Sequence, residues 1–271
     1  MGSFEVLCVT MGQTDFGLFR KMNIHSDVLW ANQCGRMDYQ ETIIDGHKAR
    51  MVSTNTRGVG INRNIACMYS NADICLLSDD DMIYDDDYEK KILDEFENNP
   101  KADAIIFNIG TSTPEYGRIP TQTTKRKYLR FWSRKPYGAP RIAFRRYAIQ
   151  KHSIMFSTLF GGGCTFLFGE DTLWIEQLLS CGLNILLSPV HIGDVSYANT
   201  TTFTDDEEKR LYSLGAMIEA GPKLLKPVYE LYYSYMKKYQ HLSSCSAYRV
   251  LKAGEKGFVN HISYANYKEN E

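Results

Sequence analysis

The sequence predicts an α/β fold in which helices flank an open mixed, largely parallel sheet and a helical extension follows at the C-terminus. Three observations support this prediction. Apolar strand-like segments alternate with amphipathic helical segments over the first 110 residues, one strand ends directly in three aspartates, and the pattern becomes helical from about Thr204. The 271 residues are 44% hydrophobic and 23% charged, so the chain has ordinary globular composition and can form a sizeable core.

The first third of the chain predicts three strands and two helices. Buried strands are expected over Phe4–Thr10 and Ser26–Gln33, with a short helix at 16–23 between them. A polar, Gly-containing turn leads to a helix over Gly60–Ser70, and the apolar run Ala72–Ser78 forms the next strand. Open α/β sheets bind ligands beyond the carboxyl ends of their strands, so the aspartates after the third strand stand where a ligand is expected.

The next part of the chain continues the alternation before the pattern turns helical. Asp85–Asp87 are N-cap candidates for a helix, and a strand follows over Ala102–Gly110. Beyond the glycines Gly161–Gly163 a helix begins at Glu170, and a strand at 184–189 returns to the sheet. No internal repeat or low-complexity linker divides the chain.

Charge and cysteine usage exclude several classes of protein. The formal net charge of -1 does not indicate any particular class of binding partner. Seven cysteines without a C-x-x-C pair favour buried reduced thiols and a cytoplasmic location over a disulfide or zinc framework. The N-terminus lacks the features of a signal peptide, and no apolar run reaches the roughly 18–20 residues of a membrane span, so any membrane contact is expected to be peripheral.

A basic segment without acidic residues occupies the middle of the chain, from Tyr116 to Gly169. It holds eleven cations: Arg118, Lys125, Arg126, Lys127, Arg130, Arg134, Lys135, Arg141, Arg145, Arg146 and Lys151. Such a segment is a solvated surface, or it contacts a diphosphate or an anionic lipid-linked molecule at a membrane. Its interleaved aromatic residues would suit single-stranded nucleic acid, but acidic clusters on both sides and the lack of a nucleic-acid motif argue against that partner.

The aspartates Asp79, Asp80 and Asp81 have two interpretations. Aspartates after a strand are often turn and N-cap residues, which explains Asp85–Asp87. Three adjacent carboxylates repel each other, however, unless a cation or hydrogen-bond donors neutralise them. A divalent metal that also binds a diphosphate would satisfy them, because Mg²⁺ usually takes one or two carboxylates and fills its other positions with phosphate oxygens and water.

Three longer motifs resemble the nucleotide-diphospho-sugar glycosyltransferases of family 2, which have the GT-A fold. The motifs are "RGVGINRNIA" before the third strand, "ICLLSDDDM" as the D-x-D-type motif, and "GEDTLWIEQLLSCGLNILLSP" as the Glu-Asp motif. "TTTF" and the helices after it are similar to the C-terminal part of bacterial enzymes of capsular and exopolysaccharide assembly. The resemblance covers most of the chain. It implies a GT-A domain over 1–203, with a nucleotide-sugar-binding half at 1–115 and an acceptor and catalytic half at 116–203, and a helical extension at 204–271.

The resemblance also implies roles for residues in the donor site. Asp79 would face the nucleotide ribose, Asp80 would ligate Mn²⁺ or Mg²⁺, and Asp81 would assist as a second metal ligand. Arg57 or Arg63 would lie near the uracil or the phosphates. Further candidates for binding the nucleotide sugar are Thr10 and Asn32.

Other candidate residues concern the acceptor and the proton. Asp171 would be the catalytic base, with Glu170 as the alternative, although both also suit an ordinary acidic helix N-terminus. Remaining candidates are Gly162, Gly163 and Arg145 for the acceptor or its phosphate, and His191 as a further metal ligand, although a lone histidine past a strand is more often structural.

The resemblance implies an inverting, metal-dependent glycosyltransferase. It would move a sugar from a nucleotide-diphosphate donor, a UDP-sugar, to a saccharide or lipid-diphosphate-linked acceptor in surface polysaccharide synthesis. Processive family members carry Q-x-x-R-W and membrane spans, which are missing here, so a single transfer per encounter is expected. Two alternatives stay open. A sugar-nucleotidyltransferase would need a Gly-rich, Arg/Lys-containing loop, of which "TMGQTDFG" is a poor version, and a catalytically silent carbohydrate- or lipid-phosphate-binding protein would keep the fold.

Overall fold

The computed structural model describes residues 2–113, 120–130, 137–196, 206–237, 239 and 241–269. The chain forms two compact units, which are described separately. Unit 1 comprises Met1–Arg57, Ile61–Phe156 and Gln177–Thr200, and unit 2 comprises Gly58–Gly60, Ser157–Glu176 and Thr201–Glu271. None of the described helices is both long enough and apolar enough to cross a membrane.

Unit 1 is built on a ten-stranded mixed sheet. Its strands are β1 (Phe4–Met11), β2 (Asp27–Gln33), β3 (Asp38–Ile44), β4 (His47–Thr54), β5 (Ile74–Asp79), β6 (Met82–Tyr84), β7 (Ala104–Thr111), β8 (Lys127–Tyr128), β9 (Ile142–Arg145) and β10 (Ile185–Val195). Their order is β3-β4-β2-β1-β5-β9-β7-β10-β6, and β8 pairs with β10. Strands β1, β2, β4 and β5 form a parallel block, as do β7 and β10, while β9 lies antiparallel between β5 and β7.

Helices alternate with these strands along the chain. The helices are α1 (Leu18–Lys21), α2 (Val59–Tyr69), α3 (Tyr88–Asn98), α4 (Arg146–Lys151) and α5 (Glu170–Ser180). Tyr88, Ile92 and Phe96 recur at helical spacing in α3 and join the core formed by β1, β5 and β7. These elements agree with the predicted alternation of strands and helices.

The segment between β2 and α2 differs from the prediction of a polar turn. It forms a hairpin of β3 and β4, and β4 pairs in parallel with β2. Asp45 and Gly46 form the tip, with φ angles of 51° and 88°. Asp-Gly between two strands is a strong hairpin signal, because the favoured two-residue turn requires positive φ at both positions.

Unit 2 combines the segment around Phe160 with the C-terminal helices α6 (Glu207–Ala220), α7 (Lys226–Leu231), α8 (Ser244–Asn260) and α9 (Tyr264–Glu269). Short 3-10 and π-helical turns, Lys223–Leu225 and Tyr232–Met236, flank α7. Phe160, Phe166 and Leu173 are buried in one apolar core with residues of α6 and α8. Residues 157–176 therefore pack with the extension that was predicted to begin at 204.

Helices α6 and α8 approach each other closely at glycines. A Cβ placed on Gly254 would lie 2.0 Å from the backbone oxygen of Tyr212, and one placed on Gly215 would lie 2.0 Å from the backbone oxygen of Leu251. Any larger side chain at either position would force the two helices apart.

Candidate active site

The carboxyl ends of the parallel strands β1, β2, β4 and β5 form one edge of the sheet in unit 1. Strand register places Thr10 beside Asn32 and Asn32 beside Ser53. On the other side of β1, Val9 pairs with Asp79, the last residue of β5. Polar residues thus meet where apolar strands end, as the ligand rule for open α/β sheets predicts.

The three aspartates lie in and around a tight turn. Asp79 ends β5, and Asp80 and Asp81 form the turn that leads into β6. The backbone N–H of Ser196, just past β10, donates to the carbonyl oxygen of Asp81 over 2.9 Å. Tyr84 in β6 donates through its hydroxyl to Ser78 over 2.7 Å. Pairing on both sides therefore holds the acidic turn in place.

Each of the three carboxylates has a different environment. Arg63 donates to Asp79 Oδ1 over 3.0 Å, and Thr10 Oγ1 donates to Asp80 Oδ2 over 2.5 Å. Asp81 Oδ1 is buried without a hydrogen-bond partner. Burial, together with the neighbouring carboxylates of Asp79 and Asp80, raises the pKa of Asp81 to about 7.

These carboxylates fit a divalent cation. A buried carboxylate oxygen without a donor is costly unless a cation neutralises it, and Asp81 Oδ1 is such an atom. The described residues contain no cluster of three or more His, Cys, Asp or Glu side chains that could enclose an ion by themselves. Asp80 and Asp81 would therefore supply two oxygens, and a ligand and water would supply the others, which is the usual arrangement for Mg²⁺ with phosphates.

The loop after β1 is tied to β2 by a network that the sequence did not indicate. The Asn32 side chain is fully buried, accepts from the backbone N–H of Gln13 over 3.0 Å, and donates to the Gln13 carbonyl oxygen over 2.9 Å. Arg36 donates to the same carbonyl oxygen over 2.9 Å, and Gln13 Nε2 donates to Thr10 Oγ1 over 3.1 Å. Gln13 and Arg36 thereby connect the loop to Thr10 and the aspartates.

The two arginines considered for the phosphates lie in different settings. Arg63 is buried at 3% exposure, and its guanidinium lies 5.4 Å from the centre of the Phe156 ring. This placement makes it the fixed partner of Asp79. Arg57 is exposed in the loop between β4 and α2, beyond the carboxyl end of β4.

Arg145 is not brought to this edge of the sheet. It pairs with Ile74, at the amino end of β5, about 16 Å along the strand from Asp79. Its guanidinium donates to the carbonyl oxygens of Ala102 and Phe96. The difference arises because β9 enters the sheet antiparallel to β5, which carries its last residue away from the aspartates.

His191 is also set apart from the acidic turn. Its Nδ1 lies 3.1 Å from Asp85 Oδ2, and its Nε2 lies 3.4 Å from Asp194 Oδ1. It precedes by four residues the part of β10 that pairs with Met82, a span of about 13 Å. The structure thus gives His191 carboxylate partners on β10 and the loop after β6.

Asp171 and Glu170 lie in unit 2, in the first turn of α5. Both are half-buried. A Cβ on Gly161 would lie 2.7 Å from Glu170 Cδ, so the Glu170 carboxylate packs against the glycine backbone. Gly162 has open space around its α-carbon, and Gly163 has a φ of 79°.

Four features named in the sequence analysis lie outside the residues that the structure describes: Arg118, Arg134, Lys135 and "TTTF".

A mixed open sheet with carboxylates beyond the ends of its parallel strands is typical of GT-A glycosyltransferases, and the chain is an enzyme of this class. The sequence profile of glycosyl transferase family 2 matches residues 33–168, half of the chain. The chain belongs to glycosyl transferase family 2, which confirms the family, fold class and enzyme type predicted from its motifs. The match includes Asp79–Asp81 and leaves Thr10 and Asp171 outside. No curated protein matches the chain in sequence.

Solved structures of S. aureus TarS share the fold at low sequence identity. TarS 1-349 in complex with UDP-GlcNAc has a TM-score of 0.59 and 10% identity, covering 97% of this chain and 93% of that chain. TarS 1-349 in complex with UDP has a TM-score of 0.58 and 11% identity, covering 99% and 92%. A further TarS structure gives 0.56 and 12% identity, covering 97% of this chain and 44% of that chain.

Proposed function

We propose that the enzyme moves one sugar per encounter from a UDP-sugar to a hydroxyl of a saccharide or lipid-diphosphate-linked acceptor. The observation that carries the proposal is the cluster of Asp79, Asp80 and Asp81 at the carboxyl ends of the parallel strands. TarS binds UDP-GlcNAc and UDP in its solved structures, which supports a uridine diphosphate donor here. Surface polysaccharide synthesis in a bacterial cytoplasm, as for a capsule, is the setting we propose.

The donor is held by residues of unit 1. The Asp79 side chain is 34% exposed although it pairs with Arg63, so it can accept a hydrogen bond from a ribose hydroxyl. Thr10 and the loop that Asn32 anchors would line the nucleotide. Arg57, exposed beyond β4, is our candidate for the diphosphate, because guanidinium groups bind phosphate oxygens in pairs.

Asp80 and Asp81 are proposed to hold Mn²⁺ or Mg²⁺ together with the diphosphate. When bound, such a cation neutralises the negative charge that develops on the leaving diphosphate. Thr10 orients Asp80 through its hydrogen bond. Asp79, which Arg63 holds in place, would bind the ribose next to the turn that carries Asp80 and Asp81.

Asp171 is proposed as the base for the acceptor hydroxyl. The hydroxyl oxygen attacks the anomeric carbon and forms the new C–O bond, the bond from that carbon to the diphosphate breaks, and the proton passes to the Asp171 carboxylate. Attack opposite the leaving group inverts the anomeric configuration. A carboxylate in the first turn of a helix interacts favourably with the helix dipole. Gly162 and Gly163 are proposed to let the acceptor approach the backbone.

A donor screen tests this function. UDP-, GDP- and dTDP-sugars are incubated with the enzyme and Mn²⁺, and the released nucleotide is measured with and without a chelator. We expect UDP release that the chelator abolishes and that Asp80→Asn lowers by at least about 100-fold. Asp45→Asn, at the exposed hairpin tip, is the matched control.

The products separate the alternatives. Release of pyrophosphate from a nucleoside triphosphate and a sugar phosphate would identify a sugar-nucleotidyltransferase instead. Binding of nucleotide sugars without any turnover, with acceptor mixtures present, would indicate a silent binding protein. Chelator-resistant UDP release that Asp80→Asn leaves unchanged would overturn the assignment of the metal ligands.

A further inference from the structure

An exposed apolar stripe runs along one side of the segment from the 3-10 turn through α7 to the π-helical turn. Neighbouring members are one, three or four residues apart, so they fall on one face of the helical segment, and each residue is between 47% and 83% exposed. They are Leu224, Val228, Leu231, Tyr232, Tyr235 and Met236. On the opposite side Tyr229 and Tyr233 pack on the core of unit 2, and Ser234 is fully buried. A contiguous apolar patch of this kind marks an interaction surface.

A cationic groove adjoins the stripe. It has a volume of about 660 Å³, and its lining includes Tyr212, Tyr248, Tyr267, Arg249, Lys252 and Lys256. Tyr248 connects the two features, because it lines the groove and its ring lies 6.2 Å from the ring of Tyr235 in the stripe. The apolar stripe and the cationic groove therefore form one continuous surface of unit 2.

On this surface the carboxylates are buried and the cations are more exposed. Glu219, Glu230 and Glu255 are 17%, 17% and 7% exposed, and lysines cover them: Lys226 pairs with all three, and Lys252 pairs with Glu230 and Glu255. Arg249 and Lys256 are exposed and have no carboxylate partner among the described residues. The solvent-accessible charges of this surface are therefore mainly positive, and the glutamates lie beneath the lysines.

We propose that this surface docks on an anionic lipid bilayer. The apolar stripe would enter the boundary between head groups and acyl chains, and Arg249 and Lys256 would meet lipid phosphates. An apolar helical face beside basic residues binds anionic membranes through both buried area and charge, and tyrosine suits the interface because its ring is apolar and its hydroxyl is polar.

Charge favours the bilayer over a second copy of the chain. In a symmetric dimer the same patch faces itself, so the exposed cations of one copy would lie near those of the other. Like charges brought together at an interface oppose binding. A phosphate-rich surface has the complementary charge. The proposal uses only unit 2 and none of the donor-site residues, so it stands independently of the proposed function.

Vesicle flotation of the full chain tests the docking. Phosphatidylcholine vesicles are compared with vesicles that also contain phosphatidylglycerol, for the parent and three variants. Val228→Glu/Leu231→Glu places charges in the stripe, Arg249→Ala/Lys256→Ala removes the cations, and Ile43→Glu/Tyr147→Glu changes two exposed apolar residues of unit 1 as the control. Thermal unfolding verifies that each variant is folded.

We expect the parent to bind the phosphatidylglycerol vesicles more tightly than phosphatidylcholine alone. The stripe variant should lose binding at least about tenfold, and the groove variant should lose about fivefold per cation, selectively on the anionic vesicles. The control should bind like the parent. The proposal is overturned if the parent does not float with anionic vesicles, or if the folded stripe variant floats equally well. A dimer in sedimentation velocity that the stripe variant dissociates would assign the surface to a second copy of the chain instead.

Discussion

The hydroxyl of Thr10, at the end of β1, donates a hydrogen bond to the carboxylate of Asp80, in the turn after β5, over 2.5 Å. The two residues are 70 positions apart in the chain, and the parallel pairing of β1 with β5 brings them together. The same hydroxyl accepts from Gln13. Thr10 therefore links the loop after β1 to the proposed metal ligand.

Thr10→Val tests this link. Valine keeps the shape and strand propensity of Thr10 but removes the hydroxyl that donates to Asp80. The Asp80 carboxylate should then be held less firmly in the orientation that binds a cation. We expect the affinity for UDP with Mn²⁺ to fall about fivefold or more, measured by calorimetry, with little change in UDP binding without metal. Thr42→Val, on the exposed strand β3, should bind like the parent. Equal affinity in both variants would show that the hydrogen bond does not position Asp80.

Asp171→Asn separates a base from a helix-end charge. Removing a positioned acid–base group costs about 10²–10⁴ in rate, while loss of a charge in the first turn costs only about 0.3–1 kcal/mol of stability. We expect a folded variant that binds UDP and Mn²⁺ normally and turns over orders of magnitude more slowly. Glu170→Gln should keep most of the activity. The reverse pattern would move the role to Glu170, and full activity in both would remove this step from the mechanism.

Gly254→Ala tests the close contact of α6 with α8. Alanine favours an isolated helix by about 1 kcal/mol over glycine, but here its Cβ would lie 2.0 Å from the Tyr212 carbonyl oxygen. The clash should dominate and lower the unfolding free energy by about 1–3 kcal/mol. Gly35→Ala, where a Cβ meets nothing within 4 Å, should be neutral in the same urea titration. A Gly254→Ala protein as stable as the parent would contradict the packing.

Acid should weaken unit 2 through Glu219. Hydrogen bonds from Lys223 and Lys226 lower the pKa of Glu219 below its ordinary value near 4.5. A carboxyl with a lowered folded-state pKa stabilises the protein above its unfolded pKa, and that contribution disappears as pH falls through the folded pKa. Glu219→Gln should therefore unfold more easily than the parent at pH 7. The difference should shrink in thermal scans below pH 4, and a difference that grew toward low pH would contradict this interpretation.

The strands and helices were predictable where the pattern is local. Alternation of apolar runs marked β1, β2, β5 and β7, and the spacing of Tyr88, Ile92 and Phe96 marked α3. The sequence analysis missed the hairpin β3–β4, although Asp45-Gly46 is a typical hairpin turn. The polar residues of β3, the exposed edge strand, resemble those of a loop.

The candidate site was predictable only in part, because several of its contacts join distant segments. Three aspartates after an apolar strand are visible in the sequence. The role of Asn32 as the anchor of Gln13 depends on pairing between β1 and β2. Arg63 is a buried partner of Asp79, a contact between α2 and the end of β5. Arg145 lies at the other end of β5, because β9 pairs antiparallel with β5. The sequence alone does not show this pairing.

The composite origin of unit 2 has a consequence for synthesis. Phe160, Phe166 and Leu173 leave the ribosome well before α6 and α8, which cover them in the finished protein. Until those helices emerge, three large apolar side chains of the nascent chain have no partner from unit 2, and exposed apolar surface of this kind promotes aggregation and chaperone binding. A premature stop codon between the end of β10 and the start of α8 would make that transient exposure permanent, so truncation should remove the protein from the cell by degradation even though the sheet and its aspartates are already complete.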